Sequence, residues 1–141
     1  MTNQDKKEFL QQYRLAEMEE QRLEHEIERW RSRAERMTAG YSKAPAGGAD
    51  GRSLENTMEH IDDLTRQLSD QRDRLVTLRR EIGMAIDSVP DARLQELLRL
   101  RYIEGMTWER IAVKLDKTYQ WVCKLHGDAL SQIKIDPVDS N

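Results

Sequence analysis

The sequence predicts an all-α protein: a long, coiled-coil-like helical hairpin followed by a C-terminal three-helix helix-turn-helix domain. Three observations carry this. Residues 1–90 hold two apolar stripes at heptad spacing, parted by a Gly/Pro-containing stretch. Residues 107–130 hold two short amphipathic segments joined by a two-residue corner. Charged residues make up 35% of the 141 and hydrophobic ones 38%, with a single Phe, which is thin for a compact core and typical of long exposed helices.

The first helix is expected over about 3–38, a stretch free of Pro and Gly. Phe9, Ala16, Leu23, Trp30 and Met37 fall at one core position of the heptad, and Tyr13, Glu20, Ile27 and Ala34 at the other. Glu20 alone breaks the stripe. Glu19/Arg22, Glu26/Arg29 and Glu28/Arg31 stand at i,i+3 spacing, where opposite charges add a few tenths of a kcal/mol to an exposed helix.

Residues 39–52 interrupt the pattern. The run AGYSKAPAGGADGR contains four of the seven glycines and one of the three prolines, and it reads as a flexible loop. Its glycines lack the spacing of a phosphate-binding loop.

Ser53 is expected to cap a second helix over 53–89. Ile61, Leu68, Leu75, Ile82 and Val89 share one core position; Leu64, Gln71, Leu78 and Ala85 share the other. Gly83 lies inside and should weaken the helix locally. Two helices of similar length, each roughly 50 Å, joined by a loop fit an antiparallel hairpin over residues 1–90. Pairing of the second helix with its twin in a second copy is the alternative. The region needs no chemistry beyond that of a spacer or dimer handle.

The domain expected over 91–135 begins where Pro90 breaks the preceding helix. DARLQELLRLRYIEG places Leu94, Leu97, Leu98, Tyr102 and Ile103 on an apolar face, and Gly105 ends the helix. In the next helix Ile111, Ala112 and Leu115 share a face. Asp116 and Lys117 form the corner, and Thr118 is placed to cap the last helix. Steep packing through so short a turn needs a small residue at the crossing, which is Ala112. Val122 and Leu125 point back at the first helix, leaving Tyr119, Gln120, Cys123 and Lys124 outward near the N-terminal end. Residues 136–141 read as a tail.

Residues 91–135 hold eight Lys/Arg against six Asp/Glu, or +2; residues 1–90 hold fifteen against eighteen, or −3. This is a weak electrostatic footprint for a solitary DNA binder. Cys123 is the single cysteine, so no intrachain disulfide forms, which fits a reducing cytoplasm. No apolar run suits a membrane span. His25, His60 and His126 are too scattered for a metal site. No nucleophile elbow or phosphate loop is present, and the expectation is a non-enzymatic protein without cofactor.

The stretch LLRLRYIEGMTWERIAVKLDKTYQWVCKLHGDAL resembles the C-terminal, promoter −35-reading region of bacterial sigma factors. It is similar also to the RinA- and ArpU-type phage activators built on that module. Arg101, Tyr102, Gly105, Trp108, Ile111, Ala112, Leu115, Val122, Leu125, His126, Ala129 and Leu130 carry the resemblance. It implies sequence-specific DNA binding and transcriptional control, with bases read at the positions of Tyr119, Gln120, Cys123 and Lys124. This chain offers one Lys where sigma factors carry several arginines and a glutamate, and Asp116 where a Gly is usual.

By chemistry, Gln120 suits paired hydrogen bonds to adenine, Lys124 reaches guanine, and Tyr119 touches a thymine methyl. Arg110, Lys114, Lys117 and Thr118 are placed for phosphates. Trp108 reads as a packing anchor and His126 as a structural hydrogen-bonder. Expected partners are double-stranded DNA, with RNA polymerase and a second copy joined through the hairpin left open, and no membrane. Two other readings stay open: a DNA-packaging protein like a terminase small subunit, and a module contacting RNA polymerase without reading bases.

Overall fold

The computed structural model describes residues 1–41 and 48–135, with the side chains of 40–41 and 48–51 left aside. Among these residues every regular element is helical. α1 spans Asn3–Tyr41, α2 Gly48–Asp87, α3 Ala92–Leu98, α4 Trp108–Leu115 and α5 Tyr119–Gln132. A π-helical turn, Arg99–Ile103, follows α3 directly.

Both long helices run further toward each other than composition suggests. α1 continues through residues 39–41, and α2 begins at Gly48 rather than at a Ser53 cap. Ser53 is helix interior, its carbonyl accepting from the Thr57 hydroxyl at 2.8 Å. Once a helix is nucleated, each added residue brings a hydrogen bond, so a glycine costing about 1 kcal/mol can be carried at its end. The rest of the expected loop, residues 42–47, lies outside the described residues, as does the tail at 136–141. At its other end α2 stops at Asp87, and Val89 is fully buried in the turn beyond it.

The chain divides into two compact units, Met1–Ala16 with Leu75–Asn141, and Glu17–Arg74. In the second unit α1 and α2 pair antiparallel. Leu23 and Ile27 pack on Leu64 and Leu68, with Trp30 partly covered beside them. Arg72 of α2 reaches Glu20 at 3.2 Å and Glu24 at 2.8 Å on α1. Glu20, the polar break in the stripe, is therefore used as an ion-pair partner at the seam.

In the first unit Leu10, Tyr13 and Ala16 of α1 and Leu75, Leu78, Ile82, Ala85 and Ile86 of α2 form one core with the C-terminal helices. Leu94, Leu98, Tyr102, Ala129, Leu130 and Ile133 complete it. This compact unit takes in residues of α1 and α2 together with the C-terminal helices, whose Leu94, Leu98, Tyr102 and Ala129 share its core. Polar ties reinforce the join. Lys6 Nζ donates to the Leu130 carbonyl at 2.8 Å, and Lys134 N donates to Ser88 Oγ at 2.9 Å.

The heptad phase needs correction at the start of α1. Leu10 is fully buried, whereas Phe9 is only partly so. A straight helix drifts about 20° per heptad from a strict 3.5-residue repeat. Here the stripe is also widened by the α5 side of the core. Met37, like Trp30, is half-buried.

The π turn does a specific job. One helix must send Leu94, Leu98 and Tyr102 to the hairpin base and Leu97 and Leu100 to the core under α4 and α5. The Glu104 N–H bonds the Arg99 carbonyl five residues back, at 2.9 Å. That wider turn changes the phase at which the side chains leave the helix.

Candidate nucleic-acid interface

The helices α3, α4 and α5 each start on a side-chain cap. Asp91 accepts from Arg93 N at 2.9 Å, Thr107 from Arg110 N at 3.2 Å, and Thr118 from Trp121 N at 3.1 Å. Hydroxyl and carboxylate oxygens there satisfy amide groups that no helical carbonyl reaches. The Asp91 hydrogen bonds, led by that from Arg93 N, hold its carboxyl below the usual range.

The α4–α5 corner turns on Asp116, which is left-handed at φ 56 and ψ 48. Its amide and that of Lys117 bond back to carbonyls of α4: Asp116 N to Val113 at 3.1 Å and Lys117 N to Ala112 at 2.9 Å. Asp is among the few side chains that accept this conformation at low cost. Ile111, Ala112 and Val122 are buried where the helices cross, with Leu97 and Leu100 beneath and Met106, Trp108, Leu115, Trp121 and Leu125 around them.

With that face buried, the opposite side of α5 is left bare. Tyr119, Gln120, Cys123 and Lys124 are all exposed, Tyr119 to 46%. Tyr119 and Cys123 are linked one turn apart. The hydrogen bond between phenol and thiol is the leading cause holding the Tyr119 phenol above its usual range. Arg110 and Lys114 are exposed one turn apart on α4. Lys117, exposed in the corner, lays its ammonium 4.9 Å from the Trp121 ring centre. Thr118 uses a lone pair for the cap, which leaves its O–H able to donate to an oxyanion. All eight sequence-predicted site residues are thus solvent-facing, on α4, the corner and the first turns of α5.

Behind them lies an arrangement that spacing did not reveal. Tyr102 Oη lies 2.6 Å from His126 Nε2, and the His126 ring meets the Trp108 ring at a tilt of 55°, centroids 4.4 Å apart. The Arg101 guanidinium covers the Trp108 ring at 4.5 Å and donates to the Met106 carbonyl at 3.0 Å. Burial drives the His126 imidazole down to about 4, and burial raises the Tyr102 phenol to about 12. The pair is neutral across the physiological range. These residues fix the loop before α4 and are structural. All four residue types were visible in the family pattern, but their contact depends on where the π turn sets Tyr102.

No group of three or more His, Cys, Asp or Glu among the described residues can hold a metal ion. No described helix is long and apolar enough to cross a membrane.

Two capped helices crossing through a left-handed corner, with the second exposing its first turns, define a helix-turn-helix. Residues 85–134 match the family model described as Sigma-70, region 4, about a third of the chain. The segment is therefore a sigma-70 region 4-like helix-turn-helix, a DNA-binding regulatory module and not a catalytic one. No curated protein and no solved structure matches the chain significantly.

Proposed function

We propose that this chain is a phage-encoded, sequence-specific DNA-binding regulator of transcription initiation that inserts α5 into the major groove. The observation that carries the reading is the exposed quartet Tyr119, Gln120, Cys123 and Lys124 at the N-terminal end of α5, opposite a fully packed face. That end of a recognition helix is the part that meets base edges. Gln120 suits adenine and Lys124 guanine, while Arg110, Lys114, Lys117 and Thr118 set register on phosphates. The resemblance to RinA- and ArpU-type activators supports both the phage origin and the host cytoplasm as the site of action. A homodimer through the long helices would supply a second DNA-binding unit, and RNA polymerase on the promoter would serve the same end.

The test is selection of bound sequences from random duplexes, repeated with Gln120→Ala and Lys124→Ala. Each variant is expected to relax preference at one position and to cost about 1–3 kcal/mol of specific binding. Folded variants that keep wild-type discrimination would overturn the assignment of α5 to the groove. A packaging protein is set apart by a ring of many copies in a solution mass measurement, and a polymerase-only module by the absence of any enriched sequence.

A further inference from the structure

The unit Glu17–Arg74 carries a feature that a plain spacer does not need. Arg29, Arg33 and Arg36 stand at i, i+4 and i+7 on α1, so they share one helix face about 10 Å long. All three are exposed, and none makes an ion pair with a described residue. They border an open groove along α1 with His25, Glu26 and Trp30. Arg33 lies 5.1 Å over the half-buried Trp30 ring, which His60 of α2 meets edge-on at 4.6 Å.

The contrast with other arginines of the same unit is informative. Arg22 holds Glu19 at 2.7 Å and Glu26 at 2.9 Å, Arg66 holds Asp63, and Arg72 bridges to Glu20 and Glu24. Those cations are already paired, Arg22 and Arg66 within their own helices and Arg72 across the hairpin. The row at 29, 33 and 36 places like charges at i,i+4 and i,i+3, which weakens a helix slightly in the absence of an anion. Glu26, at the groove edge, is already taken by Arg22, and Glu28 lies at the end away from Arg36. Trp30 and His60 buttress the row from below, holding Arg33 by its stacked guanidinium.

We propose that Arg29, Arg33 and Arg36 form a second phosphate-contacting surface for duplex DNA, separate from the helix-turn-helix. This rests on the duplex-DNA reading above. Three successive phosphates of one strand span about 7 Å along the axis, at about 3.4 Å each, so three flexible arginine side chains along about 10 Å of helix can each reach one. Guanidinium forks bind phosphate oxygens in pairs, which an ammonium cannot do. The row reads no bases. It supplies the extra electrostatic contact that a helix-turn-helix segment of net charge +2 lacks.

The experiment uses full-length protein and a long duplex of mixed sequence, with affinity followed against salt. The Arg29→Gln, Arg33→Gln, Arg36→Gln triple variant should lower the slope of log affinity against log salt by up to about 2.7, at about 0.9 per phosphate contact. Between 50 and 200 mM salt the wild type should then lose about 40-fold more affinity than the variant. The triple Lys variant should keep most of the slope, and circular dichroism should show both variants helical. An unchanged slope in the helical Gln variant overturns the proposal. So does binding of the row to polyglutamate with no effect on DNA. A Gln triple that fails to fold shifts the decision to the Lys variant and to single substitutions, each expected to remove about 0.9 from the slope, or none if the proposal is wrong. Base preference, read with the Gln120 and Lys124 variants, fails or holds independently of this slope.

Discussion

The Tyr102 phenolic oxygen and Nε2 of His126 lie 2.6 Å apart, joining the π turn to the middle of α5 behind the exposed quartet. Tyr102 is 2% exposed, so its O–H has no recourse to water. With the imidazole neutral, the phenol and Nε2 share one hydrogen bond, whichever of the two donates. Protonation of the ring would place a charge among Tyr102, Trp108, Arg101 and Lys7, the last two of which repel it.

Acid should therefore loosen this unit before its carboxylates are neutralised. The folded His126 pKa is depressed from 6.5 to about 4, so the fold favours the neutral ring. Its contribution is complete above about pH 6.5 and is lost progressively as pH falls toward 4. Asp5 and Asp91, both held below their ordinary values, act lower still. Thermal melts should show a fall in stability between pH 6.5 and 4 that disappears in His126→Phe. A wild-type melt that is flat across that window would refute the linkage.

Removing one partner of the pair should cost more than removing both. His126→Leu strands the buried Tyr102 hydroxyl, at about 1–3 kcal/mol. Adding Tyr102→Phe should recover part of that loss. Additive single and double variants in urea melts would mean that the contact contributes nothing.

Two glycines are expected to be suboptimal. A Cβ at Gly83 or Gly127 meets nothing within 4 Å, and both are helix interior. Gly83→Ala and Gly127→Ala should each stabilise by about 0.5–1 kcal/mol through helix propensity. Gly127 shares the face of Gln120 and Cys123, so its substitution also asks whether DNA approaches that backbone closely. A more stable Gly127→Ala protein with weakened DNA binding would place the duplex there.

Gly105 is the opposite case. Its φ is +72, and a Cβ there would run into the Arg14 guanidinium. Gly105→Ala should destabilise by about 1–2 kcal/mol from backbone conformation alone, and by more from the clash. Arg14→Ala in the same chain should relieve only the steric part. Equal losses in the single and double variants would show that Arg14 simply swings aside.

The fragment 91–141 should fold poorly by itself. It loses Leu10, Tyr13, Leu78, Ile82 and Ile86 from around Leu94, Leu98, Tyr102 and Ala129. Its helical circular dichroism should be well below that of the same residues in the full chain. A cooperative melt from the fragment would show that the smaller core around Ile111 and Val122 suffices.

The sequence by itself determined the helices, the corner and the outward face. Heptad spacing marks Leu23, Ile27, Leu64 and Leu68, and local chemistry marks the Thr118 cap and the corner at Asp116. These are short-range properties: a cap or a helical face is set by residues within a turn or two. The exposure of Tyr119, Gln120, Cys123 and Lys124 followed from Val122 and Leu125 pointing back at α4, where Val122 is buried and Leu125 partly so. The tertiary structure alone decided that Leu10 rather than Phe9 is buried, that the hairpin base shares its core with α3 and α5, and that Tyr102 meets His126. Each depends on packing between segments far apart in the chain. The π turn sets the side-chain phase between the two cores, and heptad counting carries no signal of such a turn.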